Sequence, residues 1–404
     1  MGEVAHGRIM PAMEQWSIAP VIDWLMHKGR HLPTPEQLVA ELCARVRDAG
    51  MPIERVGFFF WTLHPQYSGN ALFWREGGRV DRMRGDPDLR SQPVYVTSPV
   101  RVIMDEGERI IRRRLEQPGC PLDFPVLEEI KAEGITDWVM VEVLFSSGQR
   151  NAVSLATRRP GGFTDHDLAE TQKILHPFSL VMENFTNREL ARTLLETYLG
   201  HKTGARVLEG QIKRGDGERI DAVIWFSDLR ESTPLAARLG EQGFLRLLND
   251  YFEATAGAVL EHGGEVLRFL GDASLAVFPI PVDGPSARRD TCATAVEAAR
   301  AARARTAVAN ERRSSAGELP FRYGIGLHLG RVLYGNIGTP ERLEFSVIGP
   351  AANETARLEG LCKRTGRDVV VSRLVAEALG ASWPLLGSFE LAGVEHPMDV
   401  LALP

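Results

Sequence analysis

Long hydrophobic runs are missing from this sequence of 404 residues. No stretch approaches the roughly 18 consecutive apolar residues that a membrane-spanning helix needs. A secretory signal is also missing, because Glu14, Asp23 and Lys28 interrupt the apolar stretches near the N-terminus. Gly2 is a possible myristoylation position, but residue 6 is His, whereas a myristoylation signal has Ser or Thr there. We therefore expect a cytoplasmic protein with no membrane span.

Paired cysteines and an excess of basic charge are missing too. The four cysteines lie far apart and form no Cys-x-x-Cys pair, which indicates neither a zinc site nor a redox motif and fits a reducing compartment. The net charge is -6, so no overall basic field attracts nucleic acid or anionic lipid. We expect no nucleic-acid partner, and any site for an anionic ligand has to be built locally.

What the chain does contain is an ordinary globular composition, with 44% hydrophobic and 25% charged residues. Its length predicts two or three domains. After a mixed N-terminal extension, residues 1–34, a helix is predicted from Thr34 to Ala49, since Thr34 can cap it and apolar residues recur at helical spacing. Apolar runs predict three strands and a long closing helix: Val56–Leu63, Trp138–Phe145, Ala152–Thr157 and Asp165–Phe185.

This order of helix, strands and closing helix resembles the GAF family of small-molecule sensor domains. The stretch from Gly162 to Leu168 is similar to the start of that family's last helix. The resemblance implies that residues 35–185 form an α+β sensor domain, with a small-molecule or protein regulator that the sequence does not identify. The alternative is an α+β domain that only dimerises.

Residues 186–218 form the predicted connection to the second half of the chain. The helical pattern continues into this segment, and Leu190, Leu194 and Leu195 keep an apolar stripe. Such a stripe is typical of a short parallel coiled coil, although a capping helix would show it as well. Gly200–Gly217 then has the composition of a linker.

An apolar strand, Arg219–Phe226, runs into an acidic residue and then turns into a helix. The carboxylate of Asp228 at such a strand end can hold a divalent cation. The exposed backbone N–H groups and the dipole at the start of the next helix favour phosphates. The candidate phosphate-binding residues are Arg230, Glu231, Ser232 and Thr233. By itself, an Asp in this position is more often a helix cap, so its interpretation as a metal ligand depends on the further motifs described below.

A second acidic turn, Gly271-Asp272, joins two apolar strands. Glycine lets the backbone bend there without a Cβ clash. Two Asp residues presented at neighbouring strand ends can bind two metal ions together. The alternative is an Asp that only makes the turn, but the flanks are so apolar that an acid would have little other use.

A third motif combines an amide with a guanidinium. Asn353 and Arg357 stand four residues apart on a predicted helix, so they share one face. An amide beside a guanidinium suits a ribose and a charged phosphorus centre. The alternative is a surface helix on which these side chains pair with Glu354 or Glu359.

The order of these motifs resembles that of class III adenylate and guanylate cyclases over residues 219–404. The matching segments are Phe226–Arg230, Phe269–Asp272, Gly335–Gly338, Val347–Gly349 and Asn353-x-x-x-Arg357. The resemblance implies an α+β catalytic domain with a ferredoxin-like βαββαβ palm core and added strands. The N-terminal half and the linker also resemble those of alphaproteobacterial-type cyclases.

In that family the active sites form between two catalytic domains, so the resemblance implies a homodimer with two symmetric sites. It implies that Asp228, Asp272 and the Leu229 carbonyl bind two divalent cations, Mg2+ or Mn2+, on one side of each site. Asn353 and Arg357 then come from the partner as catalytic residues. The implied reaction converts ATP into cyclic AMP and pyrophosphate under the control of the N-terminal domain.

Two residues depart from the family pattern where the base binds. Relatives usually have Lys at the position of Arg268 and Asp or Thr at the position of Pro350. Arg268 can donate a hydrogen bond but cannot accept one, and Pro350 offers only its backbone carbonyl. Because neither supplies a carboxylate for the donors of guanine, we expect ATP as the preferred substrate and GTP as a weaker one.

These departures leave three alternatives open. The first is a guanylate cyclase, and the second is a degenerate nucleotide-binding regulator without catalysis. The third is a diguanylate cyclase, which shares the palm-like core. Gly263-Gly264-Glu265 resembles part of the diguanylate cyclase motif, but Val266 and Leu267 break it.

Overall fold

A computed structural model of the chain describes residues 16–281 and 284–404. The first part of the predicted N-terminal extension, with Gly2, His6 and Glu14, lies outside these ranges. Among the described residues, no helix combines the length and the apolar character needed to cross a membrane.

The chain divides into two compact units, Met1–Leu194 and Leu195–Pro404. The helices described in the first unit are α1 Ala19–His27, α2 Pro35–Asp48, α3 Pro93–Val96, α4 Pro99–Arg101, α5 Pro125–Ala132 and α6 Asp165–Leu199, which crosses the boundary. The strands are β1 Arg55–Trp61, β2 Gly69–Arg75, β3 Val80–Gly85, β4 Ile110–Arg113, β5 Asp137–Leu144 and β6 Arg150–Thr157. They form one antiparallel sheet in the order β3-β2-β1-β6-β5-β4.

Local sequence signals account for α2 and for three of the six strands, β1, β5 and β6, while β2, β3 and β4 were not predicted and α6 extends beyond Phe185. Thr34 caps α2, because its Oγ1 accepts a hydrogen bond from the backbone N–H of Gln37 at 3.2 Å. β5 and β6, two of the predicted strands, pair as an antiparallel hairpin with Leu144 opposite Arg150. The α+β class predicted for this region is confirmed. Its likeness to GAF domains stays a prediction.

Alternating side chains divide the first sheet into two faces. On β1, Phe58 and Phe60 belong to a core shared with α1, α2 and α6. Phe59 and Trp61 point to the opposite face and lie beside a second core, to which α5 contributes Leu127. The first face is therefore covered by long helices, and the second by short ones.

The helices described in the second unit are α7 His201–Leu208, α8 Ser232–Glu261, α9 Pro285–Ser315, α10 Pro350–Thr365 and α11 Arg373–Leu379. The strands are β7 Gly217–Leu229, β8 Glu265–Leu270, β9 Ala273–Pro279, β10 Tyr323–Thr339, β11 Arg342–Ile348, β12 Val369–Ser372, β13 Leu385–Phe389 and β14 Met398–Ala402. The sheet order is β13-β14-β12-β10-β7-β9-β8, and β11 pairs with β10.

This unit contains the predicted βαββαβ palm core, in the order β7-α8-β8-β9-α9-β10. β7 lies in the middle of the core and pairs antiparallel with β9 and β10. α8 and α9 cover one face through apolar residues such as Tyr251 and Val296. α10 packs on the other face, where it approaches Gly324 and Gly326 of β10. The remaining strands extend the core into a larger mixed sheet.

Two segments have more regular structure than the sequence indicated. Gly330–Gly338, a Gly-rich segment, belongs to the long strand β10. Gly335 permits this, because a Cβ atom there would collide with the backbone oxygen of Asp216. The predicted linker Gly200–Gly217 holds α7, which is part of the second unit.

Candidate active site

Two aspartates meet at the end of the central strand β7. Asp228 is the last residue but one of β7 and lies opposite Ala273 of β9. Asp272 directly precedes Ala273 in the β8–β9 turn, where Gly271 adopts a left-handed φ of 66°. The backbone N–H of Leu229 donates to the backbone oxygen of Asp272 at 3.2 Å. The structure thus brings the two predicted metal-binding aspartates side by side.

The two carboxylates, each negative when ionised, repel each other. Burial, with a contribution from the charge of Asp272, raises the pKa of Asp228 to about 6. Within the described ranges, neither aspartate forms an ion pair with a basic side chain. Oxygen donors that carry uncompensated negative charge suit Mg2+ or Mn2+, so the residues present fit the expected cations.

Across the described part of the chain, no group of three or more His, Cys, Asp or Glu residues has the arrangement of a metal site. The remaining ligands of a cation at Asp228 and Asp272 would therefore be backbone carbonyls, water or substrate oxygens. The Leu229 side chain is buried, at 2% exposure, which leaves only its backbone to contribute. Ligation by the Leu229 carbonyl stays a prediction.

A third carboxylate, which the sequence reading missed, lies behind the aspartates. Glu359 of α10 is 9% exposed, and its Oε1 points at Gly324, the register partner of Asp228. Burial and the charge of Asp228 raise the pKa of Glu359 to about 7, against an opposing effect of Arg230. Gly326 keeps α10 close, because a Cβ there would lie 2.8 Å from the backbone nitrogen of Glu359.

The predicted phosphate-binding residues lie at the turn into α8. The Arg230 guanidinium donates to the carbonyl of Arg367 and lies 3.5 Å from Asp368, so it is held within its own chain. Glu231 has a φ of 59°, and it is the only non-glycine residue with a positive φ in the described ranges. Backbone strain of this kind concentrates at functional sites. Ser232 begins α8, followed by Thr233, so the free N–H groups of that first turn are available to an anion.

Asn353 and Arg357 lie on the exposed face of α10. Thr355 and Glu359 lie on the opposite, buried face, which packs on the sheet. In residues 16–281 and 284–404, neither Asn353 nor Arg357 has a side-chain hydrogen bond or an ion pair. The alternative of surface pairing is wrong, because Glu354 lies 2.9 Å from His328 Nε2 and Glu359 is buried. Within one chain, Asn353 and Arg357 therefore point away from the aspartates.

The polar neighbours of Arg268 lie on β11, whereas the sequence analysis placed Arg268 with Pro350 at the base site. Its Nη2 donates to Ser346 Oγ at 2.8 Å, and its Nε lies 3.1 Å from Glu344 Oε1. Both neighbours are on β11, two residues apart and hence on one face. Pro350 is the exposed first residue of α10 and is not one of these polar neighbours. Glu344 therefore supplies a carboxylate next to Arg268, which the sequence analysis did not identify.

Curated proteins of mycobacteria are similar to this chain in sequence. An uncharacterized protein of Mycobacterium bovis is 33% identical over 243 residues, which cover 59% of this chain and 40% of that protein. An uncharacterized protein of Mycobacterium tuberculosis gives the same values. The chain thus matches about two fifths of the length of these curated relatives.

Solved structures of cyclases also match. The adenylyl cyclase CyaB from P. aeruginosa is 23% identical, with 46% of this chain and 95% of that chain covered and a TM-score of 0.42. The guanylyl cyclase Cya2 is 28% identical, with 46% and 92% covered and a TM-score of 0.39.

The sequence profile of the adenylate and guanylate cyclase catalytic domain matches residues 217–396. This range begins at the first residue of β7 and contains Asp228, Asp272, Asn353 and Arg357. It also contains the whole palm core. Residues 217–396 of this chain are therefore a nucleotidyl cyclase catalytic domain of the class III adenylate and guanylate cyclase family.

Proposed function

We propose that this chain is an adenylate cyclase that converts ATP into 3′,5′-cyclic AMP and pyrophosphate at the interface of a homodimer. One observation carries the proposal. Asp228 and Asp272 lie together with no ion pair to a basic side chain of residues 16–281 or 284–404, while Asn353 and Arg357 face away from them on α10. A site that contains both sets of residues needs a second chain, and a two-fold axis would build it twice.

The chemistry follows from the residue types. Two Mg2+ or Mn2+ ions at Asp228 and Asp272 would lower the pKa of the ribose 3′-hydroxyl and neutralise the triphosphate. Asn353 of the second chain would hold the ribose, and Arg357 would donate to the oxygens of the α-phosphorus, where charge accumulates. The 3′-hydroxyl would give its proton to water, and a bond would form between the 3′-oxygen and the α-phosphorus. The bond from the α-phosphorus to the bridging oxygen would break, and pyrophosphate would leave.

Arg268, Glu344 and Ser346 support a purine site. The Arg268 guanidinium can donate to N1 of adenine, while Ser346 Oγ or the Glu344 carboxylate accepts from the N6 amino group. Glu344 would also accept from N1–H of guanine, which favours GTP more than the sequence alone indicated. ATP stays the preferred substrate in this proposal, because Glu344 already shares its charge with Arg268.

The first unit is proposed to regulate the reaction. α6 runs without interruption from Asp165 in the first unit to Leu199 in the second, so it is a physical connection between sensor and catalyst. Removal of residues 1–194 should therefore change the basal rate and abolish any effector response, and an unchanged rate and response would argue against regulation.

The decisive experiment is turnover by the purified full chain with ATP and GTP, each in Mg2+ and in Mn2+. A higher kcat/KM for ATP than for GTP supports an adenylate cyclase. The reverse order identifies a guanylate cyclase. Binding of either nucleotide without any cyclic product would identify a degenerate regulator and overturn the proposal.

A further inference from the structure

The second face of the first sheet, under α3, α4 and α5, is incompletely filled. A cavity of about 410 Å3 lies there, within the roughly 300–1,000 Å3 typical of small-molecule sites. Small residues of the sheet form its floor, including Ala71, Ser154 and Ala156. Aromatic side chains form its walls, including Phe59, Trp61 and Trp138. The cavity therefore has the flat floor and aromatic sides that suit a planar molecule.

The aromatic residues of β1 are packed less tightly on the cavity face of the sheet than on the other face. Phe58 and Phe60 are each only 4% exposed on the face covered by the long helices. Phe59 and Trp61, on the cavity face, are half-buried. Aromatic rings beside an empty space lose the dispersion contacts that they would make in a filled core. A ligand that fills the cavity would restore these contacts.

The floor contains a hydroxyl that no described residue binds. Ser154 is 9% exposed as a residue, and no hydrogen bond joins its hydroxyl to the described part of the chain. It faces Gly57, where a Cβ atom would lie only 2.8 Å from Ser154 Oγ. Because Ser154 lines the cavity, its hydroxyl is free to donate to or accept from a molecule there. Ser154 thus offers one hydrogen-bonding position to a molecule in the cavity.

Arg55 is the one charged lining residue that forms an ion pair within the described ranges, with its Nη1 3.3 Å from Glu129 and 3.4 Å from Glu133. Arg84 and Asp86, the other charged lining residues, are exposed, so water solvates their charges. Because the rest of the lining is mostly apolar, the cavity offers little to a phosphate or to another strongly charged ligand.

We propose that this cavity binds a neutral, planar and mostly apolar small molecule, with one hydrogen-bonding substituent directed at Ser154. We further propose that this binding is the signal through which the first unit controls the cyclase. The regulatory half rests on the proposed function, whereas the binding half does not.

The binding half is tested on the purified full chain with 2-naphthol, a neutral bicyclic ring with one hydroxyl, by titration calorimetry. We expect saturable binding of one molecule per chain. Ala71→Trp should abolish it by filling the cavity, while Ala132→Trp, on the exposed surface of α5, should leave it unchanged. Absence of saturable binding to the wild type, or wild-type binding by a folded Ala71→Trp variant, overturns the proposal.

A milder variant tests the hydrogen bond separately. Ser154→Ala should weaken 2-naphthol binding by roughly fivefold. It should not weaken binding of naphthalene, which has the same ring and no hydroxyl. Equal losses for both probes would overturn the role of Ser154, and circular dichroism with thermal melting establishes that each variant is folded.

The regulatory half is tested by the cyclase rate with and without 2-naphthol. A change of rate in the wild type that disappears in Ala71→Trp supports it. Saturable binding without any change of rate overturns the regulatory half and leaves the binding half standing. If the chain shows no turnover with either nucleotide, the proposed function fails, and calorimetry still decides whether the cavity binds.

Discussion

Buried carboxylates behave oppositely in the two units of this protein. In the first unit, burial alone would raise the pKa of Asp167. Hydrogen bonds from Thr164, Trp16 and Arg159 outweigh burial and lower that pKa. In the second unit, burial and the neighbouring Asp272 raise the pKa of Asp228 to about 6. Desolvation acts to raise the pKa of both groups, yet the two pKa values shift in opposite directions, and the difference lies in the partners.

The presence or absence of hydrogen-bonding and basic partners distinguishes an acid that stabilises the fold from acids that await a ligand. The partners of Asp167 come from the start of α6 and from distant segments, with Trp16 Nε1 at 2.9 Å, so that carboxylate ties the fold together. In the described ranges, Asp228 and Asp272 form no ion pair with a basic side chain, and the charge of Arg230 opposes the rise in the pKa of Glu359 without reversing it. Unpaired acids destabilise a folded chain, and they are kept where a ligand supplies the missing charge.

The largest effect should come from removing the unpaired acids. Asp228→Ala and Asp272→Ala should each abolish cyclisation, because each removes a proposed cation ligand and no core contact. Both variants should melt no lower than the wild type in the absence of cations. The measurement is turnover at saturating Mn2+, with Asp290→Ala on the exposed surface of α9 as the control. Near wild-type turnover by either aspartate variant would refute the two-metal assignment.

A second large effect concerns the partner chain. Asp272→Ala and Arg357→Ala should each be inactive alone, and mixing them should restore activity if the two sets of residues come from opposite chains. Random exchange gives mixed dimers in half of the population, each with one intact site, so about a quarter of wild-type activity should return. The check is turnover after mixing, with exchange shown by differently tagged subunits. Proven exchange without recovery would mean that each site is built within one chain.

Removal of Asp167, the acid with hydrogen-bonding partners, should reduce the stability of the folded chain. Asp167→Ala should lower the free energy of unfolding by roughly 2–3 kcal/mol, because it leaves the donors of Trp16 and Arg159 without their acceptor. Denaturant unfolding measures this loss, and Asp165→Ala, at the exposed start of α6, is the matched control. A stability equal to that of the control would remove the distinction between the two kinds of acid.

A smaller effect should appear in the pH dependence of stability. The pKa of Asp228 is raised to about 6 and that of Glu359 to about 7, so the folded chain holds these protons more tightly than the unfolded chain. Their contribution to stability is fully present below about pH 4, where the unfolded carboxyls titrate, and is lost as the pH rises through the folded values.

The wild type without cations should therefore lose more Tm between pH 5 and pH 8 than a Glu359→Gln variant, which has no charge to bury. Mn2+ should raise the Tm of the wild type at pH 8 and have little effect at pH 5, since protonated carboxyls do not bind cations. Thermal melting at both pH values measures this. A parallel pH dependence in wild type and variant would contradict the assigned pKa shift of Glu359.

The smallest effect should be on the choice of base. Arg268→Lys should keep or improve the kcat/KM for ATP, because it restores the residue that similar enzymes carry. Glu344→Gln should reduce use of GTP more than use of ATP, because guanine alone presents N1–H to the carboxylate. Ratios of kcat/KM measure both effects, and Arg289→Lys on α9 is the control. A higher kcat/KM for GTP than for ATP in the wild type would overturn the adenylate assignment.

The sequence was sufficient where the signal is local. An apolar run that ends in an acid places Asp228 at a strand end, and a capping Thr34 before apolar residues at helical spacing fixes α2. It was insufficient for the surroundings of Arg268, because β8 and β11 meet through the fold and not through neighbouring positions. Glu359 was open to prediction, since Thr355, Leu358 and Cys362 form an apolar stripe that includes it. The cavity of the first unit depends on the packing of several distant segments, which no local pattern records.

Two absent methyl groups determine where α10 lies. Gly324 and Gly326 face this helix, and a Cβ at Gly326 would lie 2.9 Å from the backbone oxygen of Thr355. Because packed interiors yield little, an alanine at Gly326 would push the helix outward, and Arg357 on its far side would move with it. An alanine at Gly324 would first displace the Glu359 carboxylate. A displacement of about 1 Å at a catalytic group can cost roughly a hundredfold in rate. The position of Arg357 in the proposed active site thus depends on two glycines of β10, on the opposite side of α10, which have no side chains to push the helix away.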